Sequence, residues 1–207
     1  MDLPIIDCVS GYKYDVFISY SRHGSAPKWL KNHFYPKVQD CLIDHMTSTP
    51  KIFMDKTMER AVDWPAALEK ALRCSKIMIA VLTPRYFQSP WCMAELRSMR
   101  ARERQLGLAS QERPQGLIYP ILYSDSENFP EEEGLRRSWW DFKKLSMPEP
   151  VFQESRDWPL FHNTVLELAR DLSELIRQVP PWQPDWPDVE RPDPVLIPPP
   201  PIPRFGI

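Results

Sequence analysis

Four short apolar segments, separated by amphipathic stretches, constrain the fold of this chain of 207 residues more than any other feature. Residues 76–83 (KIMIAVLT) are apolar almost throughout, which is typical of a parallel strand covered on both faces. Residues 14–20, 51–54 and 117–123 predict three further strands, and Pro120 in the last of them favours an edge or irregular position. This alternation of strands with helical patterns predicts an α/β fold with a mainly parallel sheet and helices on both faces.

Helical patterns lie between and after the predicted strands. The first carries apolar residues at three- and four-residue steps from Trp29 onward, and Pro36 is predicted to kink it. Three further helices are predicted over residues 65–74, 90–106 and 161–179. Residues 136–150 predict a short helix or an irregular covering segment.

Composition and charge exclude several functional classes. The chain has 6 glycines against 24 prolines, and neither GxGxxG nor GxxxxGK[ST] occurs, so a Rossmann dehydrogenase or a P-loop NTPase is not expected. The net charge of −2 gives no reason to expect nucleic acid or an anionic membrane as a partner. No apolar run approaches the roughly 20 residues that span a bilayer, and residues 1–10 do not resemble a secretory signal. A cytoplasmic location is therefore expected.

The cysteines, histidines and arginines show no pattern of a metal or nucleic-acid site. The four cysteines are scattered without a CxxC pair: Cys8, Cys41, Cys74 and Cys92. We expect them to be reduced and mostly buried, as in a cytosolic protein, with no disulfide framework or zinc site. The four histidines are isolated and predict no metal ligand set: His23, His33, His45 and His162. The basic run on the helix over 90–106 is interpreted as a solvated face: Arg97, Arg100, Arg102 and Arg104.

Glu95 is the strongest candidate for a functional residue. It lies in the first turns of a predicted helix, with Ser89 as the N-cap and Pro90 in the first turn. Trp91 precedes it by one turn, so the indole and the carboxylate share a face of the helix. Two interpretations fit this pattern. The pair forms a seat for a nucleotide whose sugar becomes cationic during reaction, or Trp91 packs in the core and Glu95 is solvated.

Segments at the ends of the predicted strands are expected to lie close to Glu95. Residues 20–22, 55–57 and 83–85 each come directly after a strand and carry polar or charged side chains. Ligands of open α/β sheets bind beyond the carboxyl ends of the strands. The sequence therefore predicts that these three segments and Glu95 converge on one crevice.

Four stretches of the chain resemble, in order and spacing, the TIR (Toll/interleukin-1 receptor) domain family, over roughly residues 12–178. They are YDVFISYSR at 14–22, IFMDKTMERAVDW at 52–64, SKIMIAVLTPRYFQSPWCMAEL at 75–96 and LIYPILY at 117–123. The resemblance implies a flavodoxin-like three-layer sandwich with about five parallel strands in the order 2-1-3-4-5. One departure from the family pattern is visible in the loop over 55–63: the family commonly has a glycine near the tip of this loop, and here the stretch reads Met58-Glu59-Arg60-Ala61-Val62.

The resemblance also implies a function. Members of the family are either scaffolds that signal by self-association or enzymes that cleave NAD at the nicotinamide–ribose bond. In the enzymes the glutamate of a WxxxE element is catalytic, which corresponds to Glu95. The substrate-binding residues implied by the same correspondence are Phe17, Ser19, Arg22, Asp55 and Trp91. The loop over 55–63 corresponds to the BB loop, which gates the site and takes part in assembly with other TIR copies.

We therefore expect an NAD glycohydrolase of the bacterial standalone type, acting in immune or antiphage signalling. It would release nicotinamide and give ADP-ribose or a cyclic ADP-ribose product, with NAD as substrate and with no cofactor or metal. Glu95 would supply a fixed negative charge to a ribosyl cation. The alternative is a scaffold without enzymatic activity that acts only by TIR–TIR self-association.

The chain is predicted to have three parts: an extension over 1–11, the TIR domain over 12–179, and a tail over 180–207. Eleven of the 24 prolines lie in the tail, interleaved with large apolar residues, which favours extended polyproline II. We expect the tail to lie along the surface of its own domain or to dock on a neighbouring copy. A recognition peptide for a separate partner is the competing interpretation.

Overall fold

Five parallel strands form the sheet in a computed structural model, which describes residues 11–55, 64–124, 129, 139–187, 189 and 192. The strands are β1 (Tyr14–Tyr20), β2 (Ile52–Met54), β3 (Ser75–Leu82), β4 (Ile118–Leu122) and β5 (Trp140–Asp141). Their order across the sheet is β2-β1-β3-β4-β5. This confirms the flavodoxin-like order that the family resemblance implies, and the first four strands match their predicted bounds within one residue.

Six helices flank the sheet within the described part of the chain. They are α1 (Ala26–Trp29), α2 (Tyr35–His45), α3 (Trp64–Arg73), α4 (Pro84–Phe87), α5 (Pro90–Gln105) and α6 (Trp158–Gln178). β3 is buried along its length apart from Lys76, as expected for a central strand with helices on both faces. The chain runs from β1 to β2 on one side and returns to β3 on the other, so the order reverses between β1 and β3. Such a switch point leaves a crevice at the carboxyl ends of these two strands.

Two local predictions need correction. Residues 136–150 were expected to be a short helix or irregular, whereas Trp140–Asp141 adds a fifth strand that pairs with Ile121 and Leu122 of β4. Pro120 therefore does not lie in an edge strand, because β4 has β3 on one side and β5 on the other. Pro120 has no amide hydrogen to donate to a neighbouring strand. This costs no hydrogen bond to β5, because β5 has only two residues and they pair with Ile121 and Leu122, after the proline.

The first helical region is interrupted before Pro36 rather than simply kinked there. A π-helical segment, Leu30–Phe34, separates α1 from α2, and Pro36 then occupies the first turn of α2. Proline is tolerated in a first turn because its missing amide hydrogen would have no partner within the helix. The ring of Trp29 packs here against Phe34, Phe142 and Phe161, with centroid distances of 4.9, 5.7 and 6.1 Å.

The described part of the tail packs on its own domain. The Trp182 indole donates a hydrogen bond to the carbonyl of Arg73 at 3.3 Å, and Trp186 is only 2% exposed. The Arg102 guanidinium lies 5.0 Å from the centre of the Trp186 ring. We call residues 180–187 the C-terminal strap, since they cover the end of α3 and one side of α5.

The prediction of a solvated basic face on α5 is wrong for Arg102, which the strap helps to bury. Arg102 is 1% exposed and donates hydrogen bonds to the carbonyls of Ser75, Leu72 and Arg73, so it is not on a solvated face. The carbonyls of Leu72 and Arg73 belong to the last turn of α3, where helical carbonyls have no partner within the helix. Burial lowers the pKa of Arg102 to about 10, and the guanidinium keeps its charge at neutral pH.

The cysteine prediction is wrong for Cys74, which is disulfide-bonded. Cys41 and Cys92 are free and buried, as expected. Cys8 lies outside the described residues. A disulfide was not expected because the cysteine spacing carries no recognisable framework.

Candidate active site

A cavity of about 500 Å³ opens at the carboxyl ends of β1 and β3, where the strand order reverses. Six predicted site residues line it: Phe17, Ser19, Arg22, Asp55, Trp91 and Glu95. The structure thus brings together residues from the end of β1, the end of β2 and the start of α5. The predicted convergence on one crevice is confirmed for the described residues of these segments, since Tyr20, Arg85 and Glu95 line the cavity together with Arg22 and Asp55. Residues 56–57 lie outside the described ranges.

Two side-chain caps fix the helices that carry the cavity wall. The Thr83 hydroxyl accepts a hydrogen bond from the Tyr86 amide at 3.0 Å and begins α4. The Ser89 hydroxyl accepts one from the Cys92 amide at 3.3 Å and begins α5, as the sequence predicts. Trp91 and Glu95 follow one turn apart, and both side chains line the cavity.

Glu95 is buried, which excludes the interpretation of a solvated helix residue. Its exposed fraction is 5%, and the Ser19 hydroxyl donates to its Oε2 at 2.5 Å. Burial raises the pKa of Glu95 to about 8, against the lowering effect of the Ser19 hydrogen bond. The carboxyl group is therefore mostly protonated at pH 7, which differs from the fixed negative charge expected from the sequence.

The Ser19 hydroxyl also contacts a buried tyrosine. Its oxygen lies 3.0 Å from the hydroxyl oxygen of Tyr86, which is fully buried in α4. Burial raises the pKa of Tyr86 well above its usual value, so this phenol remains protonated near neutral pH. Sequence patterns did not single out Tyr86, because it lies between two helix caps and 67 residues from Ser19.

Arg22 and Asp55 form an ion pair at the mouth of the cavity. The Tyr20 hydroxyl donates to the Asp55 carbonyl at 2.6 Å. The last residue of β1 and one that follows it therefore both hold the residue that follows β2. Side-chain exposure is 46% for Arg22 and 9% for Asp55. The pair therefore presents the arginine to solvent and the cavity, while it buries the carboxylate.

Three further residues of the cavity wall bear on its chemistry. Burial, reinforced by the Glu95 charge, raises the pKa of the Cys92 thiol to about 12. This agrees with the interpretation of Cys92 as a small buried group and not a nucleophile. His23 and Arg85 also line the cavity. The sequence placed Arg85 near the crevice because it follows β3. It carries no such signal for His23, which is exposed at the cavity rim as a surface residue.

The described residues contain no group of three or more His, Cys, Asp or Glu side chains placed to hold a metal ion. Within the same ranges, no helix is both long and apolar enough to cross a membrane. The predicted BB loop over 55–63 is described only at Asp55. Residues 56–63, with the stretch Met58-Glu59-Arg60-Ala61-Val62, lie outside the described ranges.

Comparison with known protein families shows to which family the chain belongs. The profile of the TIR domain family matches residues 16–154, about two thirds of the sequence. The chain belongs to the TIR domain family. The match includes the ends of β1, β2 and β3 and the whole of α5, so it contains every predicted site residue.

Similar proteins carry TIR domains in several settings. Disease resistance protein TAO1 of Arabidopsis thaliana is 25% identical over 178 residues, covering 81% of this chain and 14% of that protein. This TIR domain chain therefore spans only a small part of the length of that relative. The TIR domain of the Toll-related receptor TRR-2 from Hydra magnipapillata has a TM-score of 0.43 and 23% identity, with 73% of this chain and 98% of that chain covered. The TIR domains of the activated Roq1 resistosome have a TM-score of 0.37 and 18% identity, with 81% and 97% covered.

Proposed function

We propose that this TIR domain is an NAD glycohydrolase that cleaves the nicotinamide–ribose bond, with Glu95 as the catalytic residue. The observation that carries the proposal is a buried carboxyl group in a cavity of about 500 Å³, beside an indole, at the switch point of a parallel sheet. A carboxyl group whose pKa is strongly raised by burial in a cleft is characteristic of catalytic sites.

The chemistry of the reaction suits a single carboxylate. As the bond between ribose C1′ and the nicotinamide nitrogen breaks, both bonding electrons go to the pyridinium ring, which leaves as neutral nicotinamide. Positive charge then develops on the ribose, as in glycoside hydrolysis. A nearby carboxylate stabilises this charge more in the transition state than in the ground state. Because the leaving group is already cationic, it needs no proton from a general acid.

Because its pKa is raised, Glu95 must first ionise before it can stabilise the positive charge on the ribose. In the unliganded protein at neutral pH the carboxyl group is mostly neutral. A cationic pyridinium ring in the cavity favours the ionised form, and the ribosyl cation favours it further. The negative charge is thus strongest in the step that requires it. The ionised group then accepts the proton of the attacking water, or of a ribose hydroxyl if the product is cyclic.

Other residues of the cavity suit the remaining parts of NAD. The half-buried Trp91 offers an aromatic face to a ring of substrate or product. Arg22 presents its guanidinium at the cavity mouth, where it suits a pyrophosphate oxygen. Phe17 and Ser19 line the inner wall, and Asp55 holds Arg22 in place.

The biological setting is part of the proposal. Similarity to a plant disease resistance protein favours a role in immune signalling. We place this activity in the cytoplasm, where a disulfide such as that of Cys74 is unusual, in a bacterial protein with antiphage function. We expect the activity to depend on self-assembly through the loop over 55–63. NAD and further copies of the TIR domain are the proposed partners.

Chromatography of the products from NAD tests the activity. Wild-type protein, assayed at high concentration and with crowding agent to favour assembly, is expected to release nicotinamide with linear or cyclic ADP-ribose. Glu95→Gln should abolish the release, and circular dichroism should show an unchanged fold. Glu154→Gln, which makes the same chemical change at an exposed position, serves as the matched control.

Two outcomes contradict the proposal. If the wild type releases no nicotinamide under assembling conditions, the enzymatic function fails. If Glu95→Gln releases nicotinamide at the wild-type rate, the site is wrong. A scaffold that acts only through TIR–TIR contacts should tolerate the Glu95 substitution and retain its assembly.

A further inference from the structure

The hydroxyl group of Tyr86 lies behind the cavity wall and contacts the site through one atom. Tyr86 is 0% exposed and belongs to the one-turn helix α4, which the Thr83 cap anchors at the end of β3. Its ring packs against Phe87 at a centroid distance of 5.5 Å. Its hydroxyl oxygen lies 3.0 Å from Ser19 Oγ. A buried phenol is costly without a partner, and Ser19 provides one.

Counting hydrogens fixes the direction of these bonds when Glu95 is ionised. Ser19 has one hydroxyl hydrogen, and the ionised carboxylate can only accept. That hydrogen is therefore donated to Glu95 Oε2, at 2.5 Å. The contact between Ser19 and Tyr86 must then be a donation from the phenol to the serine oxygen. Both hydroxyl groups point toward the carboxylate in one continuous chain.

We infer that Tyr86 is a positioning residue for the proposed reaction: through Ser19 it holds a hydrogen-bond donor on Glu95 and favours the ionised carboxylate. Successive hydrogen bonds polarise one another, so a phenol that donates to Ser19 makes Ser19 a stronger donor. A donor to the charged form stabilises that form. This inference rests on the proposed function, because it assigns a role within the same site.

The charged and titratable groups around Glu95 include Arg85 and His23 of the same cavity wall, together with Arg22, Asp55, Tyr20 and Cys92. Among all influences on Glu95, the hydrogen-bond chain from Tyr86 through Ser19 is the main one that opposes burial. Arg22 lowers and Asp55 raises the pKa of Glu95, and these two residues are an ion pair, so their effects oppose one another. Tyr20 and Cys92 have pKa values of about 12 and are neutral near pH 7. Arg100 influences Tyr86 from α5. The Ser19 hydrogen bond is the largest effect that lowers the pKa of Glu95.

Replacing Tyr86 with phenylalanine isolates this effect. The change removes one oxygen atom from a residue that does not line the cavity, so the shape of the cavity and its contacts with substrate are preserved. The acid limb of the pH profile of kcat should move to higher pH. Activity at pH 7 should fall about threefold to tenfold and recover at alkaline pH, with little change in KM.

Two measurements on the same proteins test the inference. The first is the pH profile of nicotinamide release from NAD. The second is the titration of Glu95 by ¹³C NMR of protein labelled at the glutamate carboxyl groups, which needs no activity. Tyr123→Phe is the matched control, since its hydroxyl also makes hydrogen bonds, to Ser25 at 2.8 Å and the Ser146 carbonyl at 3.1 Å. It should leave the titration of Glu95 unchanged.

A double-mutant cycle with Ser19→Ala shows whether Tyr86 acts on Glu95 through the hydrogen bonds of Ser19 or through a general change in packing. Ser19→Ala alone should raise the titration midpoint of Glu95 more than Tyr86→Phe does. In the Ser19→Ala background, Tyr86→Phe should add nothing, because the link to Glu95 is already removed. If Tyr86→Phe fails to fold, incorporation of a fluorinated tyrosine at position 86 keeps the ring and the hydroxyl. The more acidic phenol is a stronger donor to Ser19, so the titration midpoint of Glu95 should fall, and an unchanged midpoint overturns the inference.

The outcomes distinguish this inference from the proposed function. A titration of Glu95 that is the same in wild type and Tyr86→Phe overturns the inference, whatever Ser19→Ala does and even when wild type cleaves NAD. A wild type without NAD cleavage overturns the proposed function, while the NMR titration still tests the chain. A loss of stability in Tyr86→Phe with an unmoved pH profile would show a purely structural role and overturn the inference.

Discussion

Replacing Glu95 with glutamine is expected to stabilise the fold at alkaline pH while it removes the proposed activity. Glutamine has the shape of a protonated glutamate and can still accept the hydrogen bond from Ser19. It differs in that it never ionises. The substitution therefore removes the cost of a buried charge and leaves packing in the cavity wall nearly unchanged.

The magnitude follows from the pKa of Glu95, which is about 8 in the folded protein against a usual value of 4.5. The folded protein holds this proton more tightly than the unfolded chain, so its stability falls as the pH rises from 4.5 to 8 and is then constant. Each pKa unit corresponds to about 1.4 kcal/mol. The cost is thus about 1 kcal/mol at pH 5 and about 5 kcal/mol at pH 9.

Urea unfolding of wild type and Glu95→Gln at pH 5 and pH 9 measures this difference. Glu95→Gln should gain roughly 4 kcal/mol relative to wild type between the two pH values. Glu154→Gln, at an exposed position, should show no such gain. A stability difference between Glu95→Gln and wild type that is the same at both pH values would refute the argument, because it would mean that burial does not hold the proton on Glu95.

Three further predictions follow from the site and the strap. The kcat/KM of the wild type for NAD should rise with pH through an apparent pKa of about 8, the value for Glu95, because the free enzyme must ionise this group; a pH-rate profile checks this. Trp186→Ala should lower the free energy of unfolding by about 3 kcal/mol in urea titration, because it empties a buried position over Arg102. Reducing the disulfide of Cys74 should cost about 2–4 kcal/mol in the same titration, and alkylation with mass spectrometry should confirm that it is the bond reduced.

The strands and the position of the cavity could be predicted because their signals are local or topological. A run such as KIMIAVLT has one stable place in an α/β fold, the middle of the sheet, where β3 lies. The ends of parallel strands meet at one edge of the sheet, so residues that follow β1, β2 and β3 had to meet there. β5 carries no such signal, because its two residues are a strand only through their pairing with Ile121 and Leu122.

The contacts that set the chemistry of the site could not be predicted in this way. The link between Tyr86 and Ser19 joins residues 67 positions apart and depends on the orientation of a single helical turn. The burial of Arg102 depends on the strap, which reaches α5 from more than 80 positions further along the chain. Helical periodicity places Arg102 and Glu95 on a face of α5, but it does not state what covers that face.

The burial of Glu95 bears on the choice between enzyme and scaffold. Domains of this size are stable by about 5–15 kcal/mol, so a cost of about 5 kcal/mol at alkaline pH is a large share of that stability. A scaffold that acts only through its surfaces would lose nothing by placing glutamine or leucine at this buried position, and its fold would be more stable. A destabilising buried group whose charge no partner neutralises is expected at a functional site. The cavity beside Glu95, with Ser19 held against it by Tyr86, is therefore better explained by the proposed chemistry than by assembly alone.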